Sequence, residues 1–189
     1  MRRWEVKILA IGSSARRNGN SNSLMRLAVE SAERRGATAD VLYARDLKVQ
    51  GCLGCDGCKR SPDATCVVKD DMHDIYAKLR ECDVLVLATP VYFYTMNSWL
   101  KAIVDRCYGL LDPDSAPRID GGKGFYVITT EEEARTFAGQ EIVGTLTRGL
   151  AWLKMDLRGE LVAVELAEAH DWEKREDLAL AAKRLITVV

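Results

Sequence analysis

The stretch V-K-I-L-A-I-G-S-S-A-R-R-N-G-N-S, residues 6–21, decides which fold the chain can adopt. Its first part, residues 6–11, is a short apolar run with the length and composition of a buried strand. A loop of hydroxyl, amide and arginine side chains follows and leads directly into a helical pattern. The order strand, polar loop, helix is that of a βα unit and indicates an α/β fold.

The rest of the chain repeats this alternation. Short runs rich in Val, Ile, Leu or Tyr predict four more strands, over 40–44, 84–89, 124–129 and 160–164. Between the strands, and after the last one, apolar residues recur at the spacing of one helix face, which predicts five helices. Five strands alternating with five helices imply right-handed crossovers and a parallel sheet covered on both faces. We therefore expect a three-layer α/β sandwich.

Length and charge narrow the classes of function. The 189 residues suit a single domain, residues 1–189, with one core. The 27 Lys and Arg side chains nearly balance the 28 Asp and Glu side chains, so no overall field attracts nucleic acid or an anionic membrane. The apolar stretch near the N-terminus is too short for a secretory signal or a membrane span. We expect a cytoplasmic protein with reduced cysteines.

The polar loop at residues 13–21 has the composition of a phosphate site. Main-chain N–H groups at the start of a helix, hydroxyls and a guanidinium can surround a phosphate that is held but not transferred. The loop lacks the G-K-[ST] of a Walker motif and the G-x-G-x-x-G of a dinucleotide site. The alternative interpretation is an ordinary helix start, capped by Ser21 or Asn22.

A second candidate segment is T-P-V-Y-F-Y-T-M, residues 89–96, where Pro90 is expected to end the third strand. Three aromatic side chains there could accommodate a flat ring, or they could pack at the edge of the sheet or in a subunit contact. In the flavodoxin-like strand order 2-1-3-4-5, the carboxyl ends of strands one and three are neighbours and flank the switch point at which such folds bind FMN. The phosphate loop and the aromatic segment should therefore face one crevice.

Four of the six cysteines lie in the run C-L-G-C-D-G-C-K-R-S-P-D-A-T-C, residues 52–66. Thiolates spaced by two residues can converge from one tight loop, and Gly54 and Gly57 permit the positive φ angles that such a loop needs. The spacing favours a [4Fe-4S] cluster; zinc, an empty thiol site and a disulfide are the alternatives. Because this segment follows the second strand, we expect it near the flavin edge. Cys82 and Cys107 should be buried apolar residues.

Up to about Arg106, the chain resembles the iron-sulfur flavoproteins of the NADPH-dependent FMN reductase superfamily. The resemblance rests on three motifs: residues 6–21, the C-x2-C-x2-C-x7-C run, and T-P-V-Y-F-Y leading into L-K-A-I-V-D-R. The resemblance implies an FMN phosphate site at Ser14, Arg16, Asn20 and Ser21. It implies an isoalloxazine site at Pro90, Val91, Tyr92, Phe93 and Tyr94, with Thr130 as a further cofactor contact. It also implies that the metal ligands are Cys52, Cys55, Cys58 and Cys66.

The chain departs from the family after the fourth strand. Glu131, Glu132 and Glu133 occupy the place of a glycine-rich turn that relatives direct toward the flavin. We interpret these residues as the acidic first turn of a helix, stabilised by the helix dipole. If they lie near the flavin instead, their charge should lower its reduction potential.

These expectations describe a flavin-dependent oxidoreductase that transfers electrons between FMN, a [4Fe-4S] cluster and external partners, without a catalytic acid, base or nucleophile. Candidate partners are NAD(P)H or a ferredoxin-like donor, and a small-molecule acceptor. One alternative is an NAD(P)H-dependent FMN or quinone reductase without a functional cluster, and another is a non-enzymatic flavin or zinc-binding module. We also expect a homodimer or a dimer of dimers, with Tyr92, Tyr94 and Trp99 at or beside the interface.

Overall fold

The computed structural model describes residues 5–61 and 66–187. The strands in these ranges are β1 Lys7–Gly12, β2 Thr38–Tyr43, β3 Val84–Tyr92, β4 Thr95–Met96, β5 Gly124–Thr130 and β6 Asp156–Ala163. The α-helices are α1 Asn20–Glu33, α2 Gly57–Arg60, α3 Met72–Glu81, α4 Ser98–Arg106, α5 Phe137–Ala151 and α6 Glu176–Leu185. None of these helices is both long and apolar enough to cross a membrane.

The parallel sheet has the strand order β2-β1-β3-β5-β6, which confirms the predicted flavodoxin-like order 2-1-3-4-5. β4 was not predicted; it pairs antiparallel with the end of β3. β6 begins at Asp156, four residues before the predicted strand over 160–164. The early residues of this edge strand alternate between exposed and half-buried positions, and several of them are polar. They therefore do not form the apolar run by which a strand is recognised in the sequence.

The two faces of the sheet form two apolar layers. Leu9 and Ile11 of β1 pack with side chains of α3, α4 and α5, whereas Ile8 and Ala10 pack with side chains of α1 and α6. This alternation follows from the period of two along a strand. Because both faces are covered, the strands are nearly continuous in apolar residues, which is why the sequence revealed them.

The loops after β1 and β3 are joined directly. The two strands pair in parallel as far as Gly12 and Ala88. Beyond that point, the N–H and the Oγ of Ser13 both donate to the Ala88 carbonyl, at 2.8 and 3.1 Å. Asn97 Nδ2 donates to the Ser13 carbonyl, and Asn97 Oδ1 accepts from Leu100 N–H at 3.2 Å as the N-cap of α4. The start of α4 is therefore attached to the phosphate loop.

The prediction that Pro90 ends the third strand is wrong, because β3 continues to Tyr92. The pairing with β1 stops two residues before Pro90, so on that side the missing N–H breaks no sheet hydrogen bond. Tyr92 then pairs with Thr95 across a two-residue turn. Phe93 and Tyr94 form this turn with φ angles of 47° and 64°, the pattern of a type I′ hairpin.

Candidate functional site

A crevice of about 190 Å³ opens at the carboxyl edge of the sheet, between the loops after β1, β3, β5 and β6. It is lined by all four residues predicted to bind the FMN phosphate, by three of the five predicted to line the isoalloxazine ring, and by Thr130, the further predicted cofactor contact. The lining residues are Ser14, Arg16, Gly19, Asn20, Ser21, Pro90, Val91, Tyr92, Thr130, Glu132, Leu166, Ala167 and Ala169. The structure thus brings most of the predicted cofactor residues together.

The phosphate loop presents free polar groups to this crevice. Ser21 Oγ is buried and has no hydrogen-bond partner among the described residues. Arg16 is exposed, and its guanidinium bonds to no other described residue. A Cβ on Gly19 would lie 2.5 Å from Ser14 Oγ, so the loop can close this tightly only with glycine there. An unpaired buried hydroxyl beside a free guanidinium suits an anionic ligand.

The alternative interpretation of this loop as a capped helix start is not supported. No side chain caps the first turn of α1, and its N-cap residue is Gly19. Asn22 Oδ1 accepts instead from Ser14 N–H, at 3.2 Å. The first N–H groups of α1 therefore remain available to an anion.

Asn20 has a different role from its neighbours. Its Nδ2 donates to the Glu168 carbonyl at 2.9 Å, and its Oδ1 accepts from Trp172 N–H at 3.4 Å. Asn20 therefore holds the loop after β6 against the crevice, although it also lines the cavity. The sequence reasoning missed that loop, which contributes Leu166, Ala167 and Ala169. The signal was available, because every strand of a parallel sheet ends at the same edge.

The aromatic hairpin only partly enters the crevice. Tyr92 lines it, whereas Phe93 is 98% exposed and Tyr94 is directed to the loop after β5. Tyr94 Oη donates to Glu133 Oε1 at 3.0 Å, and this hydrogen bond to a carboxylate raises the pKa of Tyr94. The structure therefore does not bring Phe93 and Tyr94 to the predicted ring site; it uses Tyr94 to link two loops of the crevice.

The interpretation of Glu131–Glu133 as a first helical turn is wrong, because α5 begins only at Phe137. The three carboxylates lie in the preceding loop and diverge. Glu131 is buried and accepts from Gly139 N–H at 3.2 Å, and burial raises its pKa. Glu132 lines the crevice. An extended strand end followed by a loop points successive side chains in different directions, so one run of sequence has three separate environments.

The four clustered cysteines are free thiols, with Cys52 and Cys55 exposed and Cys58 and Cys66 half-buried. Burial, and then charge on Cys66, raise the pKa of the Cys58 thiol. Within residues 5–61 and 66–187, no group of three or more His, Cys, Asp or Glu side chains is positioned to hold a metal ion. The structure does not assemble the predicted metal site, and the ligand assignment remains a prediction.

Cys82 and Cys107 differ from these four. Cys82 is buried and Cys107 is half-buried, and both pack in or against the apolar layer around α3 and α4. Burial raises the pKa of Cys82 to about 11 and that of Cys107 to about 12. Their place in or against this apolar layer, outside the cysteine loop of residues 51–66, disfavours them as metal ligands.

The cysteine loop, residues 51–66, and the segment before it are held to two other parts of the chain. The segment before it is held at the phosphate loop, where Arg45 donates to the Ala15 carbonyl at 2.5 Å. The loop itself reaches the stretch after α4: Lys59 Nζ donates to the Asp112 carbonyl at 2.7 Å. The expectation that this loop lies near the flavin edge stays a prediction.

Comparisons with known proteins agree with this fold. A sequence model of the NADPH-dependent FMN reductase family matches residues 6–168. An iron-sulfur flavoprotein of Methanosarcina thermophila is 37% identical over 101 residues, which are 53% of this chain and 52% of that protein. An iron-sulfur flavoprotein of Archaeoglobus fulgidus is 26% identical over 148 residues, which are 78% of this chain and 64% of that protein. The chain thus spans about half the length of the first of these relatives.

Solved structures show the same fold. The NAD(P)H:quinone oxidoreductase from Methanothermobacter marburgensis has a TM-score of 0.70 at 15% identity, with 95% of this chain and 94% of that chain covered. The Trp repressor binding protein from Bacillus subtilis has a TM-score of 0.69 at 22% identity, with 96% of this chain and 99% of that chain covered. At these identities the likeness concerns the fold alone.

The free hydroxyl of Ser21 allows a test with two readouts. We expect Ser21→Ala to weaken FMN binding by about 1.5–3 kcal/mol, because a hydrogen bond to the charged phosphate is lost. The free energy of unfolding of the FMN-free protein should not fall, because this hydroxyl has no partner among the described residues. Flavin titration and urea unfolding measure the two quantities.

Ser31→Ala on the same helix is the matched control. Its hydroxyl donates to the Lys183 carbonyl at 2.8 Å, far along α1 from the crevice. This change should lower the free energy of unfolding by about 0.5–1.5 kcal/mol and leave FMN affinity unchanged. If Ser21→Ala behaved like Ser31→Ala, the phosphate site would lie elsewhere.

Proposed function

The chain belongs to the family of NADPH-dependent FMN reductases, and on that basis we propose that it is a flavin-dependent oxidoreductase. In this proposal FMN binds in the carboxyl-edge crevice and exchanges electrons with a [4Fe-4S] cluster on the cysteine loop. NAD(P)H or a ferredoxin-like protein is the external donor, and a small molecule is the acceptor. The buried hydroxyl of Ser21, unpaired within the described residues and located in this crevice, is the observation that carries the proposal.

The crevice residues fit FMN. Bound there, FMN supplies the transfer of one or two electrons, which needs no acid or base from the chain. Ser21, Arg16 and the first N–H groups of α1 would hold its phosphate through charge-assisted hydrogen bonds. Pro90, Val91 and Tyr92 offer the apolar wall that an aromatic ring requires, and the loop after β6 closes the opposite side.

The cysteine loop fits an iron-sulfur cluster in its donor set. Four thiols lie within fifteen residues, and three of them have the C-x2-C-x2-C spacing typical of such clusters. Cations bond to the main chain of the loop: Arg60 donates to the Cys55 carbonyl at 2.9 Å, and Arg118 to the Ser61 carbonyl at 2.8 Å. Their charge offsets that of thiolates. The thiols would have to converge when metal binds, as is usual for sites that form with their metal.

A second candidate function is that of an NAD(P)H-dependent FMN or quinone reductase without a cluster. The observation that favours it is the dispersed arrangement of the thiols among the described residues. A non-enzymatic flavin or zinc-binding module is a third candidate. Metal and sulfide content separates the three, because the first function requires iron with sulfide and the others do not.

We further propose that the protein forms homodimers through the aromatic hairpin and the start of α4. Large apolar side chains are exposed there on neighbouring elements. These residues are Tyr92, Phe93, Tyr94, Trp99 and Phe137. A cluster of exposed aromatic side chains is characteristic of protein interfaces.

We expect Arg16→Ala to weaken FMN binding by about 1.5–3 kcal/mol, since the guanidinium would lose a charge-assisted contact with the phosphate. Arg17→Ala is the matched control, because Arg17 pairs with Asp46 at 3.0 Å and lies over the ring of Tyr43 at 4.8 Å. Flavin titration should show a loss for the first variant and little change for the second. Equal affinities for Arg16→Ala and the unmodified protein would exclude Arg16 from the site.

For the cluster, we expect protein reconstituted anaerobically to hold about four iron and four sulfide per chain, the content of one [4Fe-4S] cluster. Serine at any of Cys52, Cys55, Cys58 or Cys66 should lower the iron content and abolish the visible absorbance of the cluster while FMN stays bound. Cys107→Ser is the control and should retain both cofactors, because this thiol packs against the apolar layer and does not belong to the cysteine loop. One zinc without sulfide would instead support the reductase function.

For the dimer, light scattering at micromolar concentration should give twice the 21.0 kDa mass of the chain. Trp99→Glu should shift the protein toward monomer, since it introduces a charge into the proposed interface. Trp152→Glu, which changes an exposed tryptophan at the far end of α5, should not. A monomeric, FMN-loaded protein before any substitution would refute the interface.

A further inference from the structure

Arg106, the last residue of α4, is a buried guanidinium at the base of the cysteine loop, with 2% exposure. Its Nη1 donates to Asp70 Oδ2 at 2.5 Å and to the Gln50 carbonyl at 3.3 Å. Its Nη2 donates to the Val68 carbonyl at 3.3 Å. Gln50 immediately precedes the loop and Val68 follows it by two residues. One side chain therefore connects the two ends of the loop.

The partner Asp70 strengthens the same junction. Its Oδ2 accepts from Gln50 N–H at 2.8 Å, and its Oδ1 accepts from Met72 N–H at 3.2 Å. Burial opposes the charged form, but the hydrogen bonds from Arg106 and these two amides outweigh it and hold the pKa of Asp70 below its ordinary value. The base of the loop thus contains a buried ion pair that is hydrogen-bonded to the main chain both before and after the loop.

One donor of this guanidinium remains unused. Arg106 Nε is buried and has no hydrogen-bond partner among the described residues. The Cys66 side chain interacts with the same guanidinium: burial lowers the pKa of Arg106, but the hydrogen bond to Asp70, the charge on Cys66 and a hydrogen bond with Cys66 raise it above its ordinary value. His73 Nε2 meanwhile contacts the carbonyls of Cys66 and Val68 at 3.2 and 3.0 Å.

An unpaired buried N–H group is rare in folded proteins and implies an acceptor that completes it. A thiolate at Cys66 is such an acceptor, since sulfur that ligates iron is deprotonated and accepts hydrogen bonds. Arginine suits this position better than lysine, because its planar fork can serve several acceptors at once. Lysine carries the same charge on a single nitrogen.

We propose that Arg106 positions the cysteine loop: it holds Gln50 and Val68 together and reserves Nε–H for the Cys66 thiolate of the iron-sulfur site. The inference rests on the proposed function for the second of these roles only. The first role concerns the folded chain without metal. A fixed positive charge beside Cys66 should also favour the reduced cluster, which is the more negative form.

The first experiment measures amide hydrogen exchange in the full chain with FMN bound and no metal. In Arg106→Gln, amides of the loop base, residues 48–50 and 68–72, should exchange at least tenfold faster than in the unmodified protein, while those of β1 and β3 keep their rates. Arg35→Gln is the control, because Arg35 also bonds main-chain carbonyls, of Lys183 and Ile186, but on the other face of the sheet. It should leave the loop base unchanged.

Two results of this experiment would overturn the positioning role. One is unchanged exchange at the loop base in folded Arg106→Gln. The other is an equal increase in all strands, which would show that Arg106 only stabilises the whole fold. If Arg106→Gln does not bind FMN or fold, Arg106→Lys replaces it, because lysine keeps the pairing with Asp70 but cannot bond both carbonyls as well. The same two results then decide.

The second experiment uses anaerobically reconstituted protein. Arg106→Gln should release iron to a chelator at least tenfold faster than the unmodified protein, and the midpoint potential of its cluster should fall. Arg106→Lys should restore the potential, since it restores the charge. An unchanged release rate and potential would overturn the role toward Cys66. If the unmodified protein takes up no iron and sulfide, the proposed cluster function fails, while the exchange experiment still decides the role of Arg106 in the loop.

Discussion

The parallel pairing of β1 with β3 is the constraint on which the other features depend. Non-consecutive strands lie side by side, so their following loops leave the sheet together and bound one crevice. Ser13 extends this pairing through two hydrogen bonds to Ala88. Gly12 must lack a side chain, because a Cβ there would lie 2.4 Å from Asn22 Oδ1. A shift of one residue along either strand would exchange the apolar layers and separate these loops.

α4 connects the two candidate sites, because a contact at each of its ends belongs to one of them. At its start, Asn97 caps the helix and bonds to the phosphate loop. At its end, Arg106 joins both arms of the cysteine loop. Its nine residues span about 13 Å, and a helix changes little in length, so these two contacts stay a fixed distance apart along the helix.

The aromatic hairpin shows how a strained backbone is maintained beside the crevice. Two consecutive residues with side chains adopt positive φ angles, at a cost of about 1–2 kcal/mol each. The pairing of β4 with β3 and the hydrogen bond from Tyr94 to Glu133 hold this turn in place. The turn also presents Phe93 almost fully to solvent. A strained, exposed aromatic residue at the rim of a ligand crevice is expected where recognition rather than stability determines the residue.

The sequence by itself determined the main strands and helices, both apolar layers and the phosphate loop, because buried strands and helix faces show a period of apolar residues within a short window. The strand order came from the flavodoxin-like fold and was confirmed only by the tertiary structure. The sequence did not reveal the hairpin that follows Pro90 or the part that the loop after β6 takes in the crevice. It also wrongly placed Glu131 in the first turn of a helix. The tertiary structure alone decided that Asn20 bonds to Glu168, and that Arg106 reaches Gln50 across 56 positions. Such contacts join residues far apart in the chain. Their partners depend on how the layers pack, and no local pattern records that.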